Sequence, residues 1–203
     1  MRILVFDTET TGFINKKEIN DLTKQPYIVQ FAWIVWEIKD WEFIEEKRIN
    51  KLIKPKISIP YESSQVHHIY DVDVKDANSI EEEIEWIMDL INWVDVIVWH
   101  NIEYDEEMIK LELRRLDLLY KYAPKQVICT MKTTVDFCAL LWKWERFKYP
   151  KLWELYKKLF DEYFMWAHDA MIDVEATVRC FTELVNKWVI KIEKNDDSLM
   201  SLF

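Results

Sequence analysis

The order of secondary-structure patterns along the chain restricts its fold more than any other feature of the sequence. Three stretches with β-strand character come first: RILVFDTET, YIVQFAWIVWEI and EFIEEKRINKLIKP, the last of which ends at Pro55. Apolar residues at helical spacing follow in NSIEEEIEWIMDLINW, after a candidate cap at Asn78 or Ser79, and DVIVW then predicts a buried strand. We interpret the first three stretches as a β-meander.

The rest of the chain alternates helix and strand and then becomes helical. NIEYDEEMIKLELRRLDLLYKY predicts a long amphipathic helix, KQVICT a short strand, and TVDFCALLW, LWELYKKLF and DAMIDVEATVRCFTELVNKW three more helices. This order predicts an α/β domain with a mixed central sheet. The 203 residues suffice for one sizeable domain, which we expect at residues 1–190, followed by a flexible tail at 191–203.

Charge and composition exclude several classes of protein. A net charge of −10 argues against holding nucleic acid by a general basic surface, but it allows carboxylates that bind divalent cations. The chain has no long apolar run and no signal-like N-terminus, so we expect a soluble, cytoplasmic protein with no membrane contact. Cys129, Cys138 and Cys180 match no metal or redox spacing and are interpreted as reduced core thiols.

Two acids lie at the end of the first predicted strand, in VFDTETTGF. Because side chains alternate along a strand, Asp7 and Glu9 should point to one face with their charges close together. Their repulsion falls if a cation binds between them, which makes the pair a candidate metal site. Taken alone, the pair is better explained as a solvated strand end with turn-forming polar residues.

Three further residues gain meaning only in combination with that pair. Asp105 lies one turn into a predicted helix that follows a buried strand, where an acid can equally stabilise the helix dipole. In AHDAMIDVEAT, His168 and Asp173 lie five residues apart at the start of the last predicted helix. Alone, such a histidine is more often a surface or capping residue than a catalyst.

Together the three segments resemble the motifs of a known enzyme family. FDTETTG, HNIEYDEEM and HDAMIDVEAT are similar, in that order, to the motifs of the DnaQ-like 3′-to-5′ exonucleases, in the DEDDh subclass named for four acids and a histidine. The resemblance extends from Met1 to about Ile190. Within the family, the chain resembles the exonuclease domain of bacterial DNA polymerase III. It implies a ribonuclease H-like fold, with a mixed five-stranded sheet flanked by helices.

The resemblance also implies roles for individual residues. Asp7, Glu9, Asp105 and Asp173 would bind two Mg²⁺ or Mn²⁺ ions, which prefer oxygen ligands, and His168 would be the general base. Residues expected to contact the substrate are Thr8, Thr10, Thr11, Gly12, Asn101 and Lys148. Lys148 belongs to a local basic stretch with Lys143, Arg146 and Lys151, which is either a backbone-binding segment or a plain solvated loop.

The implied function is removal of nucleotides from the 3′ end of a single-stranded nucleic acid, with DNA proofreading or repair favoured. The alternatives are RNA trimming by the same residues and a non-catalytic, polymerase-associated module that binds nucleic acid. A DNA polymerase and a sliding clamp are candidate partners, because the end of NDDSLMSLF, with Leu202 and Phe203, resembles the short Leu-Phe motifs by which bacterial proofreading exonucleases bind the clamp, although the leading Gln of the motif is missing. Folding of this apolar end back onto the domain is an equal alternative.

Glycine and tryptophan occur in unusual numbers. The chain has 1 Gly and 11 Trp, whereas ordinary usage predicts roughly 14 glycines in this length. Tryptophan stands where the family pattern or a turn favours glycine at Trp41, Trp99, Trp144, Trp153, Trp166 and Trp188. Our hypothesis is that the source organism reads UGA as glycine and that this sequence was translated with UGA as tryptophan. An unusually aromatic natural protein does not explain an excess at turns.

Overall fold

The first three strands form the predicted meander in the computed structural model, which describes residues 1–39, 42–142, 146–163 and 169–192. Strands β1 (Arg2–Thr10), β2 (Ile28–Lys39) and β3 (Glu42–Leu52) pair antiparallel in sequence order. The register between β1 and β2 shifts between Glu9 and Thr10, where β2 contains an additional residue. This bulge lies beside the predicted acids, at a place where bulges commonly redirect side chains.

Two later strands complete a mixed five-stranded sheet. Strands β4 (Val96–Trp99) and β5 (Val127–Cys129) run parallel to β1, and the strand order is β3-β2-β1-β4-β5. The predicted fold class is confirmed. Because β1, β4 and β5 are parallel, their C-terminal ends meet at one edge, called here the carboxyl edge.

Helices cover both faces of this sheet. Their bounds are α1 Tyr61–His67, α2 Asp71–Val74, α3 Ile80–Trp93, α4 Ile102–Arg115, α5 Thr130–Thr133, α6 Val135–Cys138, α7 Leu152–Phe160 and α8 Ala170–Asn186, with single 3₁₀ turns at Lys16–Glu18, Leu22–Lys24 and Leu119–Lys121. Helices α3 and α4 pack against Leu4 and Phe6 of β1, whereas α7 and α8 pack against Ile3 and Val5 on the opposite face. Because successive side chains of β1 point to opposite faces of the sheet, the strand contributes to two separate apolar layers.

Helix ends differ from the sequence prediction in two places. The helix α4 stops at Arg115 because Asp117 adopts a left-handed conformation with φ 58° and the Leu118 amide donates to the Leu113 carbonyl. In the stretch TVDFCALLW, residues 134–142, only Val135–Cys138 is helical (α6), because Ala139, with φ 50°, ends the helix; the single turn α5 precedes this stretch. The short helices α1 and α2 were not predicted.

The cysteines lie in the interior, as expected. Cys129, Cys138 and Cys180 are all buried and free. Burial raises the pKa of the Cys180 thiol to about 12. In the part of the chain that the structure describes, no helix is both long and apolar enough to cross a membrane.

Only one of the described tryptophans suspected to replace glycine has the backbone of a glycine. Trp188 follows α8 with φ 59°, and the next amide, that of Val189, donates to the Leu184 carbonyl. This is the helix-ending geometry that glycine adopts most readily.

Trp99 and Trp153 contradict the expectation that they occupy turns. Trp99 ends β4 with its indole buried and 4.2 Å from the Phe6 ring centroid, and Trp153 lies in α7. Neither has a positive φ; the left-handed residue after β4 is Asn101, with φ 74°. Trp41, Trp144 and Trp166 lie outside the described residues.

Candidate active site

Three of the predicted acids lie together at the carboxyl edge. Asp7 and Glu9 lie on the same face of β1 as Ile3 and Val5. They therefore face the α7 and α8 layer, as their spacing predicts. Asp173 lies in the first turn of α8, and ligand oxygens of Asp7, Glu9 and Asp173 all lie within 4.8 Å of one another. The three side chains are half-buried, which leaves a route from solvent.

The start of α8 is fixed by an aspartate cap. Asp169 accepts hydrogen bonds from the amides of Met171 at 3.0 Å and Ile172 at 3.3 Å. A polar residue directly before an apolar helical pattern is the usual sequence signal of such a cap, although the motif comparison did not identify it. The cap sets the first turn of α8, and with it the position of Asp173.

A glutamine on β2 ties the same helix to the sheet. Gln30 is the register partner of Glu9, and its side-chain oxygen accepts a hydrogen bond from the Ala170 amide at 3.3 Å. Its side-chain nitrogen donates to the Asn50 side chain at 2.8 Å. One buried side chain therefore links three elements and fixes the distance between Glu9 and the start of α8.

Asp105 reaches the carboxyl edge from the other layer. Strand β4 pairs with β1 only over Ile3–Val5, and beyond that point Asp105 Oδ1 accepts hydrogen bonds from the Thr8 amide at 3.1 Å and the Thr8 hydroxyl at 2.7 Å. Asp105 is buried. It is not one of the three acids whose ligand oxygens all lie within 4.8 Å of one another. Thr8 therefore holds it beside that set.

Burial and mutual repulsion make these carboxyls hard to ionise. Burial and the charges of Asp105, Asp173 and Glu9 raise the pKa of Asp7 well above its ordinary value. Burial, with the charges of Asp173 and Asp105, raises the pKa of Glu9 to about 9. Burial raises the pKa of Asp105 to about 7, although the hydrogen bonds from Thr8 act in the opposite direction.

These features fit a divalent cation. Among the described residues, no lysine or arginine forms an ion pair with Asp7, Glu9 or Asp105. Repulsion between close carboxylates is relieved by a bound metal ion, and an all-oxygen ligand set favours a hard ion such as Mg²⁺. Asp7, Glu9 and Asp173 could hold such an ion, with Asp105 beside them.

The predicted substrate-contacting threonines have structural partners. The hydroxyl of Thr10 lies 2.6 Å from the Tyr104 hydroxyl and 2.9 Å from the Gly12 carbonyl, which also accepts a hydrogen bond from Tyr104 at 2.7 Å. The hydroxyl of Thr11 accepts a hydrogen bond from the Tyr27 amide. These hydroxyls, like that of Thr8, are buried and shape the loop from inside. The motif comparison did not identify Tyr104, whose role depends on the contact between α4 and this loop.

The other predicted contact residues are more accessible. Gly12 is half-buried, with nothing within 4 Å of the place where a side chain would begin, and Asn101 is exposed at the start of α4. Lys148 is half-buried and forms an ion pair with Glu154 in α7. His168, the predicted general base, lies outside the described residues.

The fold and the acidic cluster define a class of nuclease. The exonuclease family model named RNase_T matches residues 4–181, so the chain belongs to this family of DnaQ-like 3′-to-5′ exonucleases. Its sequence is also similar to DNA polymerase III PolC-type from Clostridium perfringens, with 28% identity over 110 residues. Those residues make up 54% of this chain and 7% of that much longer relative.

Solved structures with low sequence identity share the fold. The nuclease domain of 3′hExo, a DEDDh family member bound to rAMP, aligns with TM-score 0.71 and 15% identity, over 95% of this chain and 96% of that one. Exonuclease I of E. coli in complex with single-stranded DNA aligns with TM-score 0.70 and 18% identity, over 92% and 40%. Exonuclease X with 5′ overhanging duplex DNA aligns with TM-score 0.60 and 21% identity, over 93% and 94%.

Proposed function

We propose that the chain is a metal-dependent exonuclease that removes nucleotides one at a time from the 3′ end of single-stranded DNA. The observation that carries this proposal is the placement of Asp7, Glu9 and Asp173 within 4.8 Å, beside Asp105, in a chain of the exonuclease family. Carboxylates so close together repel one another when they are ionised. A cation bound between them relieves that repulsion, which supports a metal site at this cluster.

The four acids would hold two Mg²⁺ or Mn²⁺ ions. When bound, such ions activate a water, neutralise charge on the phosphoryl oxygens and assist the departing 3′ oxygen. The hydrogen bonds of Thr8, Gln30 and Asp169 hold the ligand-bearing elements in place before substrate arrives, which reduces the reorganisation needed for reaction. His168 would accept the proton of the attacking water, because a histidine titrates near neutral pH.

An exposed phenylalanine beside the first motif would receive the terminal base. Phe13 is 93% exposed and directly follows Gly12, whose surroundings allow close approach to the backbone. A base stacks on an aromatic ring whatever its identity, so this contact suits an enzyme that degrades any sequence. Asn101 faces solvent at the start of α4 and is available for contact with the same nucleotide.

DNA is the proposed substrate because of the sequence similarity to a DNA polymerase, in which an exonuclease would remove mismatched 3′ ends. RNA trimming is the second candidate, favoured by the alignment with 3′hExo bound to rAMP. A polymerase and a sliding clamp are proposed partners. The division into a domain at 1–190 and a tail at 191–203 is also a proposal. Residues 193–203 of the tail, including Leu202 and Phe203, lie outside the described residues.

The test is a nuclease assay with 5′-labelled single-stranded DNA and RNA, in Mg²⁺, Mn²⁺ or EDTA. We expect products that shorten from the 3′ end, no cleavage in EDTA, and loss of nearly all activity in Asp7→Asn, because the metal loses a ligand. The matched control is Asp89→Asn, which removes one exposed carboxylate from α3 and should leave activity unchanged. Cleavage in EDTA, or near-normal rates in Asp7→Asn, would contradict the metal mechanism, and absence of all cleavage would favour the non-catalytic module.

A further inference from the structure

A short hairpin connects α6 to α7. Its described residues are 140–142 and 146–149, and it is called here the 140–149 hairpin. The Lys148 amide donates to the Leu140 carbonyl at 2.9 Å, and the Trp142 amide donates to the Arg146 carbonyl at 2.7 Å. Leu141 and Phe147 form an antiparallel bridge between these bonds. Backbone pairing therefore joins residues 140–142 to residues 146–148, whereas the sequence predicted a helix that continued to Trp142.

The hairpin exposes aromatic rings that contribute little to the core. Phe147 is 42% exposed and Tyr149 is 59% exposed. Lys148 between them forms an ion pair with Glu154. Side-chain alternation along an extended segment predicts that the two rings, which lie two residues apart, project from one side. Exposed neighbouring aromatic residues of this kind usually mark a binding surface.

The charge around these rings is positive, in contrast to the rest of the protein. Arg146 and Lys151 are exposed, and in the described ranges neither side chain forms a salt bridge, although the Glu154 carboxylate accepts a hydrogen bond from the Lys151 amide at 2.8 Å. The whole chain has a net charge of −10, so an unpaired basic cluster is a local exception. Aromatic rings interleaved with cations bind single-stranded nucleic acid, since bases stack and phosphates pair.

A half-buried histidine attaches the base of the hairpin to the junction of β4 and α4. His100 Nε2 lies 3.0 Å from the Pro150 carbonyl, which can only accept, and Nδ1 lies 3.0 Å from the Thr130 hydroxyl. Burial lowers the pKa of His100 to about 4, so the ring stays neutral at physiological pH. The next residue, Asn101, precedes α4, whose first turn carries Asp105. The base of the hairpin is thus attached to the junction of β4 and α4, one helical turn before Asp105.

We propose that the 140–149 hairpin binds the single-stranded stretch of the substrate that lies upstream of its 3′ end. Phe147 and Tyr149 would stack on successive bases, and Arg146 and Lys151 would contact phosphates. This proposal rests on the proposed exonuclease function and deepens it, because it separates strand binding from the chemistry at the carboxylates. Charge complementarity to a polyanion favours nucleic acid over a protein partner for this surface.

The test compares two substrates that differ only in what lies beyond the scissile bond. One is a nitrophenyl ester of thymidine 5′-monophosphate, which is too short to reach the hairpin, and the other is a long oligothymidine. In Tyr149→Ala and Phe147→Ala we expect kcat/KM on the long strand to fall about tenfold through a higher KM, as loss of one stacked base predicts. Hydrolysis of the ester should not change. The matched control is Tyr120→Ala, an exposed tyrosine beyond the opposite end of the sheet.

Charge is tested by salt dependence. In Arg146→Ala, the slope of log affinity against log salt for single-stranded DNA should decrease by about 0.7, the value for one lost phosphate contact. The control is Lys125→Ala, which changes the net charge equally but lies before β5, away from the carboxyl edge. An unchanged slope, or equal kcat/KM on the long strand in wild type and both aromatic variants, would overturn the proposal and assign the hairpin to a protein partner.

Failure of the exonuclease proposal would be recognised separately. A wild-type chain that hydrolyses neither the ester nor the strand in Mg²⁺ or Mn²⁺ is not the proposed enzyme. Binding of labelled oligothymidine, followed by fluorescence anisotropy, then decides the hairpin alone. Weaker binding in Tyr149→Ala supports it, and equal binding overturns it.

Discussion

At the scale of single residues, Glu9 makes the stability of the metal-free chain depend on pH. Burial and nearby acids raise the pKa of Glu9 to about 9 and that of Asp105 to about 7, whereas in an unfolded chain such groups titrate near pH ~4. Between these limits the folded state binds more protons than the unfolded state. The stabilisation from these protonated groups is therefore present at low pH and is lost as pH rises toward the folded pKa.

We expect Glu9→Gln to reduce this dependence, because a neutral amide has no proton to lose. In EDTA, the wild-type Tm should fall more steeply than that of Glu9→Gln between about pH 5.5 and about pH 8.5. Thermal unfolding across that range measures the difference, and Glu62→Gln, an exposed acid in α1, is the control. Equal slopes in wild type and Glu9→Gln would contradict the prediction. Added Mg²⁺ should weaken the dependence, since the metal binds the ionised form.

The acids of the candidate metal site could be predicted from the sequence more readily than the contacts that position them. The shared face of Asp7 and Glu9 follows from strand alternation, and the approach of Asp105 and Asp173 follows from the ordered motifs. The contact between Thr8 and Asp105 is possible because the pairing of β4 with β1 stops at Val5. The contact between Tyr104 and Gly12 depends on how α4 packs. Such contacts join distant parts of the chain and leave no local pattern.

At the scale of elements, the end of α8 tests the hypothesis that UGA encodes glycine. A non-glycine residue in the left-handed conformation costs about 1 kcal/mol, so Trp188→Gly should raise the free energy of unfolding by that amount. Trp99→Gly should lower it by about 3 to 5 kcal/mol, because the buried indole leaves a cavity beside Phe6. Denaturant unfolding of the two variants measures both changes.

The codons decide the hypothesis itself. We expect UGA at Trp41, Trp99, Trp144, Trp153, Trp166 and Trp188, and native peptides lighter by the difference between tryptophan and glycine. UGG at these positions would refute recoding. In that case the strained backbone at Trp188 would be a property of the natural protein.

The junction between β4 and α4 yields a prediction about His100. Asparagine can reproduce the Nδ1 contact with Thr130 and glutamine the Nε2 contact with Pro150, so the two variants separate the two bonds. We expect His100→Asn to raise KM for the long strand several-fold, and His100→Gln to retain most of the wild-type value. Hydrolysis of the nitrophenyl ester should be unchanged in both. Equal loss in both variants, or loss on the ester, would argue against a positioning role.

Elements with strong periodicity were predictable, and their ends were less so. The meander, α3, β4, α7 and α8 follow from apolar spacing, and the Ser79 cap of α3 was among the expected candidates. The end of α4 at a left-handed Asp117 and the division of TVDFCALLW at Ala139 were not apparent. In both places apolar residues continue at helical spacing, and only tertiary packing decides where the helix stops.

At the scale of the whole molecule, the tail yields a prediction about partners. If Leu202 and Phe203 anchor the chain to a sliding clamp, a peptide spanning Asn195 to Phe203 should bind the cognate clamp with micromolar affinity, roughly −8 kcal/mol. Replacing both residues by alanine should abolish binding without changing exonuclease activity on free oligonucleotides. Calorimetric titration measures the first expectation. No detectable binding, together with a lower Tm of the double variant, would favour a tail packed on the domain.

The three buried thiols can report local opening of the structure. Cys129 lies in the outermost parallel strand, Cys138 in a single-turn helix and Cys180 in the long helix on the sheet. An alkylating reagent attacks a thiolate that reaches solvent, so each modification requires that its part of the protein opens first. The order in which the three sites acquire label, followed by mass spectrometry, therefore maps which region of the molecule opens most often.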